Sequence, residues 1–319
     1  IGRFWGIIKP VEEYFMSFLN KLCSVRKIDD HIIFMFCGVQ IKIKYKSHFN
    51  CPTVKDIGVT NSKRDTKVIV SFTTFPGRIN SVHKTISTLL TQTLKPDEVI
   101  LWLAEAQFPN KELPEQLTNL QQYGLTIKWC EDLRSYKKLI PALEEYPNDI
   151  IITVDDDLYY AEDTVETLYN SYIKYPKNIH AHRCGQVFLK KNKIEDVSMR
   201  KLYFAEFEGA SYFYRQIGYG AVLYPPNSLY GDVLDRKKFT TLVPTHDDIW
   251  FWVMAVLNHT KIRSVKGYEE SVNYVEDTQQ VGLCKINKAA NEGGSVTDAI
   301  EKLSELYPKF MCILEEESV

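Results

Sequence analysis

The pattern of apolar and polar positions from Lys67 onwards alternates between short apolar runs and segments with helical spacing. The apolar runs are rich in β-branched and aromatic residues and predict strands: VIVSFTTF, DEVILWLA, LTIKWC and NDIIITV. The intervening segments carry apolar residues three and four positions apart and predict helices: INSVHKTISTLLTQ, LPEQLTNLQQYG and SYKKLIPALEEYP. This alternation predicts an α/β fold with a doubly wound, mostly parallel sheet.

Polar residues mark the ends of several predicted helices. Gly124 closes the second one, because glycine readily adopts the left-handed conformation that follows many helices. Ser135 is expected to cap the third, and Asp247 or Asp248 to cap the later helix HDDIWFWVMAVLNHT.

Residues 1–66 differ from the rest and are predicted to form an N-terminal appendage to a main domain of residues 67–319. An aromatic stretch is followed by the apolar run HIIFMFCGVQ and the basic alternation IKIKYKSH. Two interpretations stay open: a small β-hairpin and helix packed on the main domain, or a peripheral contact with a membrane surface through aromatic and lysine side chains.

Composition narrows the class of protein. Hydrophobic residues make up 45% and charged residues 25%, which is typical of a globular chain. Lys plus Arg (39) nearly balances Asp plus Glu (41), so nucleic acid is not expected as a partner. The seven cysteines lack zinc-site spacing and favour a reducing compartment. With no secretory signal pattern, we expect a cytoplasmic location, at most peripheral at the inner face of the cell membrane.

Three consecutive carboxylates, Asp155, Asp156 and Asp157, directly follow the last predicted strand and are called the Asp triplet below. They repel one another, so a cation or hydrogen-bond donors must compensate them. Mg²⁺ or Mn²⁺ would suit carboxylate oxygens, with a nucleotide diphosphate completing the shell. In extended backbone, Asp155 and Asp157 project to one side and would share one ligand, while Asp156 points elsewhere. The alternative is a solvated acidic loop or a helix cap.

Thr73, Thr74 and Phe75 end the first predicted strand of the main domain. Parallel strands present their carboxyl ends at the same edge of a sheet, which is where such sheets bind ligands. We therefore expect these residues beside the Asp triplet.

Six segments in order carry a family resemblance: VIVSFTTFPGRI, QTLKPDEVILWLAEAQFP, DLRSYKKLIPAL, DIIITVDDDLYY, GAVLYPPNSL and HDDIWFWVMAVL. Over roughly residues 67–290 the chain resembles bacterial GT-A glycosyltransferases, family 2-like, of surface-polysaccharide and lipopolysaccharide assembly. The resemblance implies a GT-A (nucleotide-diphospho-sugar transferase) fold, with a nucleotide-binding half (67–160) and an acceptor half (161–319). It also implies a metal-dependent enzyme that moves a sugar from a nucleotide sugar, with a UDP-sugar favoured, to a glycan or lipid-linked glycan acceptor.

The same resemblance implies roles for individual residues. Those assigned to the donor nucleotide are Thr73, Thr74, Phe75, Pro76, Arg78, Asp132, Lys138, Asp155 and Asp156. Asp157, with Asp155, would hold Mn²⁺ or Mg²⁺ and so stabilise the leaving diphosphate. Two alternatives stay open: a surface ion pair for Arg78, and a solvated helix face for Lys137 and Lys138.

A second acidic pair, Asp247 and Asp248, follows the loop LVPTH. An inverting transfer needs a base for the acceptor hydroxyl, and the resemblance implies Asp248 in this role, with Asp247 as second choice. Helix capping is the alternative for either. His246 departs from the family pattern, and its interpretation as a metal ligand, a base or neither stays open.

Further polar and aromatic residues have two interpretations each. His180 and His182 have the alternate spacing of a strand, so they are either part of the core or acceptor wall or a second metal site. Tyr219, Tyr224, Trp250 and Trp252 either stack on sugars or fill the core. Asn291, Gly293 and Gly294 are expected in a loop that closes over the donor.

Two other functions compete with the glycosyltransferase. A sugar-nucleotidyltransferase on a similar sheet would need a Gly-rich, basic loop after the first strand, whereas FTTFPGRI has a single glycine. A non-catalytic carbohydrate-binding protein on the same fold would have no need for the Asp triplet and the second acidic pair.

Overall fold

The computed structural model describes residues 51–190, 193–196, 209–266, 273–281 and 294–318, together with three strands within residues 23–44. The chain divides into two compact units, residues 1–50 and 51–319. The aromatic stretch behind the predicted membrane contact, and Asn291 and Gly293 of the predicted donor loop, lie outside the described residues. No helix in the described part of the chain is long and apolar enough to cross a membrane.

The smaller unit contains an antiparallel sheet with the strand order β1-β2-β3. Its strands are β1 (Cys23–Ile28), β2 (His31–Phe36) and β3 (Val39–Lys44). Phe34 is the register partner of both Val25 and Ile41, so apolar positions of the three strands stand opposite one another.

The larger unit is built on an eight-stranded mixed sheet with the order β12-β15-β9-β14-β7-β4-β5-β6. In chain order the strands of the larger unit are β4 (Val68–Thr73), β5 (Glu98–Ala104), β6 (Leu125–Cys130), β7 (Ile150–Thr153), β8 (Leu158–Tyr159), β9 (Ile179–Ala181), β10 (Cys184–Lys190), β11 (Lys193–Asp196), β12 (Ala210–Ser211), β13 (Tyr214–Gln216), β14 (Val222–Tyr224), β15 (Ile262–Ser264) and β16 (Asn273–Tyr274). The neighbours β7, β4, β5 and β6 are parallel, and β14 runs antiparallel to both β7 and β9. The predicted α/β fold with a mainly parallel central sheet is confirmed.

Helices connect these strands at the predicted places but are shorter than the patterns. The α-helices are α1 (Val82–Leu89), α2 (Glu115–Thr118), α3 (Ile140–Glu145), α4 (Thr164–Lys174), α5 (Arg236–Leu242), α6 (Asp247–Leu257), α7 (Val296–Leu306) and α8 (Pro308–Ser318). Gly124 has a φ of 109° and closes the 3₁₀ turn after α2, as expected. Ser135 caps no helix, because it lies within the 3₁₀ turn Arg134–Lys138 that precedes α3.

The sheet is covered by apolar residues on both faces. Along β4 the side chains alternate between two hydrophobic clusters, since Ile69 belongs to one and Val70 and Phe72 to the other. Burial on both faces explains why β4, β5 and β7 are continuous apolar runs. Helix α6 is buried from Ile249 to Leu257, which fixes the acidic residues of its first turn.

Candidate active site

The Asp triplet and the end of β4 meet at one edge of the sheet, as predicted. Strands β4 and β7 are parallel neighbours, with Ser71 opposite Thr153. Just beyond these residues the Thr74 hydroxyl donates a hydrogen bond to the Asp156 carboxylate, and both side chains are buried. Thr73 instead donates its hydroxyl to the carbonyl of Trp102 on β5.

Arg78 is a buried counter-charge for the Asp triplet. Its Nη1 lies 2.6 Å from Asp156 Oδ1 and its Nη2 lies 2.9 Å from Asp157 Oδ2. Only 7% of Arg78 is exposed, so the surface ion pair considered for it is wrong. Burial acts to lower the pKa of Arg78, but Asp156 and Asp157 outweigh it and raise the pKa, so the guanidinium keeps its charge. Phe75 lies beside this group, with the guanidinium carbon 5.6 Å from its ring centre, whereas Pro76 is exposed.

The three side chains of the Asp triplet do not follow the alternating directions that an extended strand predicts. Asp156 and Asp157 share Arg78, while Asp155 accepts a hydrogen bond of 3.1 Å from Lys138. Among the protein contacts, Asp157 therefore shares its partner with Asp156 and not with Asp155, which differs from the predicted alternation. Strand alternation applies only to extended backbone, and β7 ends at Thr153, before the turn that contains Asp156 and Asp157.

Asp157 is a buried carboxyl group whose negative charge, when ionised, is compensated only in part by its neighbours. Its Oδ2 accepts a hydrogen bond of 2.8 Å from Gln279 in addition to the contact with Arg78. Burial raises the pKa of Asp157 to about 7 against the opposing effect of Arg78, and the charges of Asp156 and Asp155 raise it further. Such a group favours the approach of a cation.

A divalent cation fits this donor chemistry. No group of three or more His, Cys, Asp or Glu side chains converges as a metal site within the described ranges. Mg²⁺ and Mn²⁺, however, are commonly held by one or two carboxylates together with water and substrate phosphates. The incompletely compensated Asp157 suits this open mode of binding, with Asp155, which directly precedes the turn, as the second carboxylate.

Lys138 connects the Asp triplet with the second acidic pair. Its buried ammonium lies 3.1 Å from Asp155 Oδ1 and 3.2 Å from Asp247 Oδ2. Burial acts to lower the pKa of Lys138, but the charges of Asp155, Asp247 and Asp248 outweigh it and raise the pKa well above the usual range. Lys137 is equally buried, so neither lysine belongs to a solvated helix face, and that alternative is wrong.

Asp247 and Asp248 begin α6 but have different partners. Asp247 accepts a hydrogen bond of 2.9 Å from the Ser135 hydroxyl and lies beside Lys138. Asp248 is partly buried and accepts a hydrogen bond of 3.0 Å from the backbone N–H of Gly218. Burial, with the charge of Asp247, raises the pKa of Asp248 to about 6 against the opposing charges of Lys138 and Arg215. Asp247 is therefore held by the protein, and Asp248 is the better candidate base.

Asp132 follows the carboxyl end of β6, the strand at the end of the sheet order. It accepts hydrogen bonds from Lys137 at 2.6 Å, from Gln107 at 2.8 Å and from the backbone N–H of Arg134 at 3.0 Å. Burial acts to raise the pKa of Asp132, but these hydrogen bonds outweigh it and lower the pKa. Asp132 is thus an ionised acceptor with an exposed edge.

The three histidines considered as possible ligands, His180, His182 and His246, each contact other groups of the protein. His180 contacts the Ser171 hydroxyl at 2.8 Å, and His182 contacts the Thr167 hydroxyl at 3.1 Å, so both face α4. Burial lowers the pKa of His180 to about 4 and also lowers the pKa of His182. These two histidines belong to the core. His246 lies 3.2 Å from the carbonyl of Gly294.

The aromatic side chains considered for sugar stacking are mostly inside the protein. Trp250 and Trp252 have no exposed surface, and Tyr224 is 2% exposed. Tyr219 stacks on Tyr274 with ring centres 5.4 Å apart and also contacts the guanidinium of Arg183, at 4.0 Å. The first three rings are core residues, and Tyr219 is engaged by protein groups.

Several contacts of the site have no signal in the sequence. Gln279 reaches Asp157 from 122 positions away, and the carbonyl of Thr278 accepts a hydrogen bond of 3.4 Å from Arg78. The backbone N–H of Val275 also donates to the carbonyl of Asp157, at 2.8 Å. Their segment shows no apolar period or motif that would place it beside the triplet.

No protein-family model and no curated protein sequence matches the chain. Among solved structures it is similar to S. aureus TarS 1-349, with a TM-score of 0.42 and 15% identity over 64% of this chain and 59% of that one. It is also similar to the mannosyltransferase PcManGT from Pyrobaculum calidifontis in complex with GDP-Man and Mn²⁺, with a TM-score of 0.44 and 12% identity over 80% of this chain and 76% of that one. A third similar structure is CMP:2-keto-3-deoxy-manno-octonic acid synthetase complexed with CTP, with a TM-score of 0.38 and 14% identity over 72% of this chain and 99% of that one.

Proposed function

We infer that this chain is a metal-dependent glycosyltransferase that moves a sugar from a nucleotide sugar, with a UDP-sugar favoured, to a glycan or lipid-linked glycan acceptor. The observation that carries the proposal is the placement of two acidic groups at one edge of the sheet, with Lys138 3.1 Å from Asp155 and 3.2 Å from Asp247. One group suits a metal-bound diphosphate, and the other suits an acceptor hydroxyl. The sequence resemblance supports an inverting reaction in bacterial surface-polysaccharide or lipopolysaccharide assembly.

The residues divide the chemistry between them. Asp157, with Asp155, would hold Mn²⁺ or Mg²⁺, which when bound spreads the charge that develops on the leaving diphosphate. Asp132 and the loop from Thr73 to Arg78 would bind the nucleotide. Asp248 would take the proton of the acceptor hydroxyl as its oxygen attacks the anomeric carbon and the bond to the diphosphate breaks.

The first test is release of nucleoside diphosphate from a panel of nucleotide sugars in the presence of Mn²⁺ and glycan acceptors. The wild-type protein should release it and Asp157→Asn should not, because the metal and leaving group lose their carboxylate. Asp232→Asn is the matched control, since Asp232 pairs with Lys238 and Tyr307 away from the site.

Three outcomes would overturn the proposal. Unchanged turnover in Asp157→Asn would exclude the metal role. Release of pyrophosphate from a nucleoside triphosphate and a sugar phosphate would identify a nucleotidyltransferase. Metal-independent glycan binding without turnover would identify a carbohydrate-binding protein.

A further inference from the structure

The backbone of Lys138 is anchored to the central sheet. Its carbonyl accepts a hydrogen bond of 2.7 Å from the hydroxyl of Ser71 on β4, and this hydroxyl accepts one of 2.9 Å from Trp102 on β5. All three residues are buried. The base of the Lys138 side chain is therefore held by two neighbouring strands.

The ammonium at the other end of the side chain is confined by the protein. It lies between Asp155 and Asp247, and a methyl group on Gly218 would come within 2.4 Å of it and within 2.9 Å of Asp248 Oδ1. A side chain at position 218 would therefore displace the ammonium or Asp248. The absence of a side chain at Gly218 lets Lys138 and Asp248 pack on the same backbone.

The contacts of Lys138 differ from those expected of a lysine whose ammonium group is free to bind phosphate. Asp247 Oδ2 is buried and has no hydrogen-bond partner among the described residues, so the nearby charge of Lys138 compensates it. Movement of the ammonium to a phosphate would leave the buried Asp247 without its counter-charge, which is costly. The geometry thus favours a lysine that stays in place.

We propose that Lys138 is a positioning residue that holds the donor-side Asp155 and the acceptor-side Asp247 at a fixed separation, and so aligns Asp248 with the donor. The inference rests on the proposed function and assigns Lys138 a role other than contact with the diphosphate. It follows that Lys138 makes no direct contact with the nucleotide and acts mainly on the rate of transfer, through the two acidic groups.

The test compares Lys138→Met with the wild-type protein. We expect kcat to fall about 100-fold, because misplaced catalytic groups have effects of this size, while the Kd for the nucleoside diphosphate with Mn²⁺ stays close to the wild-type value. The acid limb of the pH–rate profile should move to higher pH. Of the charges that face Asp248, Lys138 and Arg215 lower its pKa and Asp247 raises it, so loss of Lys138 raises it further.

Two further variants keep the test decisive. Lys138→Met combined with Asp247→Asn removes one buried charge of each sign and remains informative if the single variant does not fold. Its kcat should be no lower than that of Asp247→Asn alone, because both changes remove the same link. Lys137→Met is the matched control, since Lys137 is a buried, paired lysine on the same turn that contacts Asp132 instead. The acid limb of the pH–rate profile of Lys137→Met should stay at the wild-type position.

Opposite results would overturn the inference. A large rise in the nucleotide Kd of Lys138→Met with kcat unchanged would show a phosphate contact. Independent, multiplicative effects of Lys138→Met and Asp247→Asn on kcat would show that no link exists. A wild-type protein that binds nucleotide but transfers no sugar would instead overturn the proposed function, so the two failures are distinguishable.

Discussion

Asp247 and Asp248 are adjacent residues of one helical turn with different environments. Asp247 is held by Ser135 and Lys138, whereas the carboxylate of Asp248 accepts the N–H of Gly218. The raised pKa of Asp248, about 6, suits a group that takes a proton near neutral pH.

Replacement of Asp248 by Asn should abolish most of the transfer. We expect kcat/KM to fall about 100- to 10,000-fold, the usual contribution of a general base, with nucleotide binding retained. In the wild-type protein kcat/KM should fall as the pH drops through about 6, because the raised pKa of Asp248 means that its carboxylate becomes protonated and inactive below that pH. The residual activity of Asp248→Asn should not show this fall at acidic pH. Initial rates measured from well below to well above this pKa test both points, and a wild-type profile that is flat through it would exclude Asp248 as the base.

Arg78 joins three separate elements at the Asp triplet. It lies in the loop between β4 and α1, pairs with Asp156 and Asp157 after β7, and donates a hydrogen bond to the carbonyl of Thr278. An ion pair also links α1 to the segment that contains Thr278, since Lys84 Nζ lies 3.0 Å from Glu276 Oε2. The arrangement of the Asp triplet therefore depends on groups supplied by distant parts of the chain.

Replacement of Arg78 by Met should destabilise the protein. The change leaves Asp156 and Asp157, which are 5% and 6% exposed, without their counter-charge. We expect a loss of about 3–5 kcal/mol in the free energy of unfolding, measured by urea denaturation at neutral pH. The loss should be smaller at acidic pH, because protonated carboxyls need no counter-charge.

Lys67→Met provides the comparison for Arg78→Met. Lys67 forms an exposed ion pair of 3.1 Å with Glu98 at the far end of β4 and β5. Loss of such a pair changes stability by at most about 1 kcal/mol. A loss in Arg78→Met no larger than this would show that the buried ion pairs do not support the fold.

At the scale of the whole molecule, the candidate site joins the two parts of the sheet. The parallel strands β4 and β7 carry the Asp triplet, and the antiparallel strand β14 lies on the other side of β7, close in sequence to Gly218. A ligand that bridged these parts would bind the folded protein and not the unfolded chain. Ligand binding should therefore be visible in the thermal stability.

Mn²⁺ together with a nucleoside diphosphate should raise the melting temperature more than the sum of their separate effects. At a ligand concentration about 100 times Kd we expect a shift of roughly 5 °C. The metal-dependent part should vanish in Asp157→Asn and persist in Asp232→Asn. A shift with nucleotide that is the same with and without Mn²⁺ would contradict a shared metal and diphosphate site.

The elements of the fold could be predicted because their signals are local. Continuous apolar runs marked β4, β5 and β7, because these strands are buried on both faces of the sheet. The rule for the carboxyl ends of parallel strands then placed Thr74 beside Asp156. Less was predictable where regular backbone ends, as the 3₁₀ turn at Ser135 shows.

The sequence by itself determined the order of the strands β4, β5, β6 and β7 with the helices between them, and the edge of the sheet where the carboxylates of the Asp triplet lie, since both follow from periodicity along the chain and from the direction of parallel strands. Only the tertiary structure decided which charges pair: Arg78 with Asp156 and Asp157, and Lys138 with Asp155 and Asp247. The physical reason is that these carboxylates extend from turns and helix ends, where no period sets the direction of a side chain. Their partners are chosen by burial and by contacts between residues far apart in the chain, such as Gln279 and Asp157.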